Sequence, residues 1–212
     1  MTDRPILFSG AMVRALVAGE KTQTRRVLRT WNGTPFENLA ETDPEHYSGL
    51  ADDEDSWGYP FADDRAPMRL PEVALWQYVV GDRLWVRETF RPAVSGSSAA
   101  SYRATLESFG AWRWKPGIHM PRALSRLTLL VTAVRVERLQ GISEDDAWSE
   151  GIRPEASGDF EGGDGATGAY RILWDSLNAK RGFGWDANPW VVAVTFTVHR
   201  ANIDTLSERI AA

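Results

Sequence analysis

The chain has 212 residues, of which 43% are hydrophobic and ten are tryptophan, a composition typical of a folded domain rather than a disordered one. It carries a net charge of −5 and has no cysteine, which excludes disulfides, zinc ribbons, iron–sulfur clusters and a cysteine nucleophile. No run approaches the roughly 20 apolar residues of a membrane helix, and the first residues lack a secretion signal, so we expect a cytoplasmic protein without a membrane partner.

The negative charge is concentrated in one segment. Residues 30–64 contain ten acidic side chains and no lysine or arginine, so the rest of the chain has 24 basic against 19 acidic residues. Such a basic body is compatible with a nucleotide or nucleic-acid ligand, and equally with ordinary surface charge. Residues 30–72 also lack a sustained hydrophobic period, which predicts an acidic insertion rather than a second domain.

The first predicted elements are a strand, a helix and a second strand. The apolar run at residues 5–9 predicts a strand, and Ser9 is placed to cap a helix that extends to about Ala18. Gly19 is the expected left-handed stop of this helix. Residues 21–28 then alternate in the manner of a strand.

Two further strands are predicted before the last third of the chain. Residues 81–90 form a strand that places Leu84, Val86 and Glu88 on one face, and residues 101–106 continue the sheet. The run at 127–139 is a long strand whose alternation changes phase near Leu130, as a β-bulge would cause.

The last third predicts two helices and a closing strand. Ser143 caps a short helix that Gly151 ends. A second helix carries Tyr170, Leu173, Trp174 and Leu177 on one face, and the closing strand alternates at Val192, Val194, Phe196 and Val198. Residues 201–212 are expected to be a tail or a short helix.

Together, these segments predict five or six strands and three or four short helices. There are too few βαβ alternations for a doubly wound sheet. We therefore predict an α+β, mainly β fold in a single domain over residues 1–200: a small, mostly antiparallel β-barrel with short helices around it.

Lys21 and Thr24 lie in the cationic stretch AGEKTQTRR and admit two interpretations. A lysine just past a helix C-terminus complements the helix dipole, and threonine is favoured in strands. Alternatively, a lysine whose pKa is pushed below about 10.4 takes the proton of a threonine nucleophile. Residues three apart face opposite sides of a strand, so the second interpretation requires a bend after Gly19.

Glu88 and Glu150 are the carboxylates that could orient such a lysine. Glu88 lies in an otherwise apolar strand, where its charge needs a partner such as Arg87 or Arg91. Glu150 lies near a helix C-terminus, where a negative charge opposes the dipole. The residues alone do not choose between them.

The segment WRWKPGIHMPR at residues 112–122 interleaves aromatic and cationic side chains. This pattern suits base stacking and phosphate contact, and it also suits tryptophans that close the end of a barrel. The ligand-contacting candidates are Trp112, Trp114, His119 and Arg122, with Trp185 from a later turn lining a pocket. His46, His119 and His199 are too far apart to form a recognisable metal-ligand pair, so no metal and no cofactor is expected.

Several of these stretches together resemble the ASCH domain family, which has a PUA-like β-barrel fold. They are KTQTRR after a helix and glycine, GDRLWV opening a strand, ISEDDAWSEGI after a long strand, and the closing WVVAVTF. The motifs IHMPR, LWDSLN and GFGWDANPW resemble those of larger ASCH proteins carried by phages and prophages. The resemblance touches most of the chain outside residues 30–72 and 153–167.

Small bacterial N4-acetylcytidine amidohydrolases of that family use a lysine, a threonine three residues later, and a glutamate in the short helix after a long strand. The resemblance places these on Lys21, Thr24 and Glu150, and it places a motif arginine that binds substrate on Arg26. Glu88 then remains a substrate-binding candidate. The implied activity is a metal-independent hydrolysis of N4-acylated cytosine, in a nucleoside or a modified RNA. The alternative is an RNA-binding PUA-like module, with or without ribonuclease activity.

Overall fold

The computed structural model describes residues 2–28, 78–93, 100–106, 113–152 and 165–210. The acidic segment 30–72, His46 and Trp112 lie outside these ranges, so what the sequence predicts for them stays a prediction.

The described chain is a mixed α+β structure built on one main sheet. Its strands are β1 (Asp3–Leu7), β2 (Gln23–Val27), β3 (Arg83–Arg87), β4 (Phe90–Arg91), β5 (Ser101–Tyr102), β6 (Thr128–Arg138) and β7 (Trp190–His199). Its helices are α1 (Gly10–Ala18), α2 (Glu144–Ser149), α3 (Gly165–Asn178) and α4 (Ile203–Ile210). The five-stranded sheet has the order β1-β3-β6-β7-β2, and β4 pairs with β5. Only β1 and β3 pair in parallel among these strands, so the sheet is mostly antiparallel, as predicted.

Helix α1 begins and ends as its sequence predicts. The Ser9 side chain accepts a hydrogen bond from the backbone N–H of Met12, and Gly19 ends the helix in the left-handed region, at φ 79°. The backbone N–H of Lys21 then bonds to the carbonyl of Ala15. Because β2 starts only at Gln23, Lys21 precedes the regular strand and is not bound by its alternation.

The predicted bulge is present in β6. The register between β6 and β7 shifts between Val131 and Ala133, close to the change of phase near Leu130. The two strands pair on both sides of this shift, and they form the centre of the sheet.

Two hydrophobic clusters pack on opposite faces of the sheet. One includes Val13 and Leu16 of α1 with Val192 and Val194 of β7, and the other joins α2 and α3 to Val191. Residues 191–194 are therefore buried in succession. The alternating set predicted for this strand does share one cluster, with Val198 partly buried against it, and the residues between them at 191 and 193 are buried as well because helices cover both faces.

The buried face of helix α3 is displaced from the one that the sequence predicts. Tyr170 and Trp174 are buried, but Leu177 is 60% exposed, because the buried row continues at four-residue spacing to Asn178. With 14 residues α3 is the longest described helix, and no helix within the described ranges has the length and apolarity to cross a bilayer.

Candidate active site

Lys21 and Glu150 meet in the interior of the protein. The Lys21 amine donates to Glu150 Oε2 at 2.7 Å and to the Glu150 backbone carbonyl at 2.8 Å. Lys21 is 1% exposed and Glu150 is 4% exposed. The short helix α2 and the turn after α1 therefore deliver opposite charges to one buried point.

The end of α2 brings Glu150 to this point. Ser143 caps the start of the helix by accepting from the Asp146 N–H, and the Thr22 N–H donates to the Ser149 carbonyl at 2.8 Å. Gly151 follows in the left-handed region, at φ 80°. A Cβ on Gly151 would lie 2.9 Å from the Cβ of Lys21, so only glycine permits this close approach.

Burial lowers the pKa of Lys21 below its ordinary value of 10.5, because the charged amine is removed from water. The carboxylate of Glu150 opposes that effect, and the charges of Arg26 and Arg25 add to it. The Lys21 amine also lies 5.8 Å from the centre of the Phe8 ring. Its surroundings thus favour the neutral amine more than water does.

Thr24 is 1% exposed and pairs with Val194 across β2 and β7. Strand alternation places it on the face of β2 opposite to Gln23 and Arg25. Its hydroxyl has no hydrogen-bond partner among the described residues, and none joins it to the Lys21 amine. The structure thus brings Lys21 and Glu150 into contact, and among the described residues it shows no hydrogen bond that joins Thr24 to either of them.

Arg26 lies on the same face of β2 as Thr24. Its guanidinium stands 5.3 Å from the centre of the Phe8 ring and donates to the Leu7 carbonyl at 3.1 Å. Within the described residues it forms no ion pair. The Lys21 amine approaches the same ring. The two cationic candidates, Lys21 and Arg26, therefore both lie close to Phe8.

Arg25 is a residue that the sequence analysis missed. Its side chain is 0% exposed, and it donates to Gln23, Glu137 and Asp146 as well as to Glu150 Oε1, at 3.3 Å. Consecutive residues of a strand point to opposite faces, so two adjacent arginines in a buried strand need two separate sets of partners. The adjacent arginines of β2 could therefore have indicated buried ion pairs from the sequence alone.

Tyr170 was expected only as an apolar residue of a helix face. It is 3% exposed, and burial raises the pKa of its phenol well above the ordinary value, with the nearby Glu150 carboxylate adding to the shift. Its hydroxyl therefore stays protonated on the α3 side of the candidate site.

Glu88 is 1% exposed and forms a two-pronged ion pair with Arg126, at 2.8 and 3.0 Å. Arg87, one of the partners suggested by the sequence, donates instead to the backbone carbonyls of Gly117 and Ile118. Arg126, which lies just before β6, thus compensates the buried charge of Glu88.

The remaining candidates are dispersed. Arg122 is bound to Asp3 and Asp204, and Trp185 is half-buried against the cluster beneath α3. Trp114 is half-buried and His119 is exposed.

The described residues include no group of three or more histidine, aspartate or glutamate side chains arranged to hold a metal ion. The chain matches no family model, no curated protein and no solved structure. The resemblance to the ASCH family, and the roles that it implies, accordingly stay predictions.

Proposed function

We propose that the protein is an amidohydrolase that removes the acyl group from N4-acylated cytosine nucleosides, converting N4-acetylcytidine to cytidine and acetate. The observation that carries this proposal is the buried Lys21 amine held by two oxygens of Glu150. A buried lysine with a lowered pKa is suited to general-base chemistry.

The proposal takes Lys21 in its neutral form, and the two hydrogen bonds to Glu150 are ones that this form can make. A neutral amine has two N–H groups and one lone pair, and Glu150 offers two acceptors, Oε2 and its backbone carbonyl. Both N–H groups are thereby used, and the lone pair remains to accept a proton. In the proposal that proton comes from the Thr24 hydroxyl.

The reaction then proceeds in two halves. Thr24 Oγ1 forms a bond to the amide carbon as its proton passes to Lys21, and the C–N bond breaks as Lys21 returns that proton to the leaving N4 amine. Water next attacks the acyl ester on Thr24 and gives a proton to Lys21. Lys21 passes that proton to the departing Thr24 oxygen, which restores the hydroxyl and releases the carboxylic acid; the acid then loses its remaining proton to water and leaves as the carboxylate.

Substrate contacts are proposed on the Phe8 side of β2. Arg26 forms no ion pair among the described residues, so its guanidinium is available to an acceptor on the base. The loop at residues 113–120 packs close to the same place, since a Cβ on Gly117 would lie 2.7 Å from the Leu7 side chain. Trp114 and His119 of this loop therefore stay substrate-binding candidates.

The proposal includes the PUA-like barrel implied by the resemblance. The strands at the two ends of the sheet order are β1 and β2. Arg26 of β2 nevertheless donates to the Leu7 carbonyl of β1. This contact supports a sheet that curves until its outer strands approach each other.

An RNA-binding module is the second candidate function. It is favoured by Arg113 and Lys115, which are both exposed. They lie next to Trp114, at the start of the described range 113–152. Arg122 contributes less to this surface than the sequence suggested, because its charge is neutralised by Asp3 and Asp204.

The test is incubation of the protein with N4-acetylcytidine, followed by chromatography of the nucleosides. Wild type is expected to release cytidine, and Lys21→Met to lose about 10²–10⁴-fold in kcat/KM. Lys180→Met, at an exposed lysine outside the proposed site, is the matched control and should keep full activity. Failure of wild type to release cytidine, or full activity in Lys21→Met, would overturn the proposal.

A further inference from the structure

Arg25 is the centre of a buried ion network that the proposed chemistry does not use directly. Its Nε donates to Glu137 Oε1 at 2.8 Å, and its Nη2 lies 2.7 Å from Asp146 Oδ2. Its Nη1 donates to Gln23 at 2.5 Å and to Glu150 Oε1 at 3.3 Å. The guanidinium thus links β2 to β6 and to both ends of α2.

The two carboxylate oxygens of Glu150 have different partners. Oε1 accepts from Arg25, and Oε2 accepts from Lys21. Because both oxygens are bound, the plane of the carboxylate is fixed between the Arg25 guanidinium and the Lys21 amine. Without Arg25, the carboxylate would be free to rotate about its last torsion and to present either oxygen to the amine.

We propose that Arg25 is a positioning residue that acts through Glu150: it holds Oε1 so that Oε2 and the backbone carbonyl together occupy both N–H groups of the Lys21 amine. This inference rests on the proposed function, in which Lys21 is the general base. Arg25 itself touches neither the substrate nor the reacting atoms.

The charge of Arg25 has a second effect on Lys21. Among the described residues, the charged or titratable groups around the amine are Glu150 at the end of α2, Arg25 and Arg26 on β2, and Tyr170 on α3; the Phe8 ring, just after β1, also faces it. Arg25 lowers the pKa of Lys21 by repulsion, and it also shares the Glu150 carboxylate that raises this pKa. Both effects disappear with the guanidinium, so its removal raises the pKa of Lys21.

A merely structural role for Arg25 makes different predictions, and Arg135 provides the matched control. Arg135 binds Asp146 at 2.7 Å and Glu137 at 3.5 Å, which are two of the carboxylates that Arg25 binds. It has no recorded contact with Glu150 in the described part of the chain. Arg135→Met therefore disturbs the same network while leaving Glu150 bound to both of its cations.

The experiment compares wild type, Arg25→Met, Arg25→Lys and Arg135→Met by two measurements. One is kcat/KM for N4-acetylcytidine against pH, and the other is an NMR titration of the Lys21 side chain without substrate. For Arg25→Met we expect the acid limb of kcat/KM and the Lys21 titration both to move to higher pH, with kcat lowered on the order of 10²-fold. Arg25→Lys keeps the charge and is expected to keep the limb near its wild-type position, with a lowered kcat. Arg135→Met should match wild type in both measurements.

Each outcome has one meaning. Should Arg25→Met fail to fold, Arg25→Lys still decides, because wild-type kcat in that variant would overturn the positioning role. Unmoved titration of Lys21 in folded Arg25→Met, or the same shift in Arg135→Met, would also overturn it. If wild type does not hydrolyse N4-acetylcytidine but the Lys21 titration moves as expected, the proposed function fails while the link from Arg25 to Lys21 stands.

Discussion

Lys21 and Glu150 are 129 residues apart in the sequence, and they meet through two hydrogen bonds from one amine to two oxygens of one residue. Neither partner is open to bulk water. A buried lysine–carboxylate pair is costly to desolvate, and it contributes little to stability relative to an apolar pair of the same shape. The proposed function gives the pair a chemical use, as a base held in a fixed orientation.

The first prediction concerns pH. Lys21 must be neutral to accept the Thr24 proton, and burial lowers its pKa below 10.5. The neutral fraction increases as pH rises through this lowered pKa, so kcat/KM should rise with pH on the acid limb and level off below 10.5. The measurement is kcat/KM for N4-acetylcytidine from about pH 5 to about pH 10, with spontaneous hydrolysis subtracted.

Glu150→Gln provides the internal check of this assignment. The Glu150 carboxylate raises the pKa of Lys21, so its removal should move the acid limb to lower pH while kcat falls. If the acid limb of kcat/KM stays in place or moves to higher pH in this variant, the group that titrates is not Lys21.

The second prediction concerns Gly151. An added methyl group would meet Ala15 and Lys21 at 2.9 Å, and φ 80° is unfavourable for any residue with a Cβ. Gly151→Ala should lower the free energy of unfolding by about 1–3 kcal/mol and reduce kcat by displacing Glu150. Urea denaturation measures the first effect.

Gly141→Ala is the matched control, because a Cβ there meets nothing within 4 Å. It should leave both stability and kcat close to wild type. Equal losses in the two variants would show that the approach of α2 to Lys21 is not what Gly151 permits.

The third prediction separates structure from substrate binding at Glu88. Its carboxylate is bound to Arg126, whose side chain is 27% exposed, so Glu88→Gln should lower the free energy of unfolding by about 1–3 kcal/mol. As a control, Asp186→Asn breaks a pair at an 87% exposed side chain and should change stability by less than about 0.5 kcal/mol. An increase of KM in Glu88→Gln, without loss of stability, would instead support the substrate contact.

The fourth prediction tests the RNA-binding alternative. If that alternative holds, single-stranded RNA should bind at low salt, and neutralising Arg113 and Lys115 should weaken binding and reduce its salt dependence. Arg122→Gln should have less effect, since Arg122 is already paired with Asp3 and Asp204. Fluorescence anisotropy, recorded at several salt concentrations, measures the affinity for RNA. Equal affinity in wild type and all variants would show that the loop with Arg113 and Lys115 does not bind RNA.

Local signals predicted much of the fold. Ser9, Gly19 and Ser143 mark helix ends by hydrogen bonds that involve only their own neighbours, so the sequence is sufficient to place them. The bulge in β6 is likewise visible as a change in the alternation of one strand. The buried run at residues 191–194 was not predicted, because it depends on helices from elsewhere in the chain covering both faces of β7.

The candidate site was predictable only in part, because its contacts join residues that are distant in the sequence. Lys21 and Glu150 were candidates from the residues themselves, and the resemblance chose Glu150 over Glu88, but no local pattern reveals a contact across 129 residues. Arg25 was overlooked because its partners Glu137 and Asp146 come from two distant elements. Glu88 was recognised as a charge needing a partner, yet Arg126 reaches it only through the packing of the fold.

Substitutions of Thr24 test the central claim most directly, since they change the proposed nucleophile at constant packing. Thr24→Val keeps the shape and removes the hydroxyl, Thr24→Ser keeps the hydroxyl, and Thr197→Val, at an exposed position of β7, is the control. With N4-acetylcytidine, we expect wild type and Thr197→Val to form cytidine at equal rates and Thr24→Ser to retain part of that rate. Thr24→Val should be slower by roughly 10³-fold or more. Cytidine formation by Thr24→Val at the wild-type rate would contradict the account.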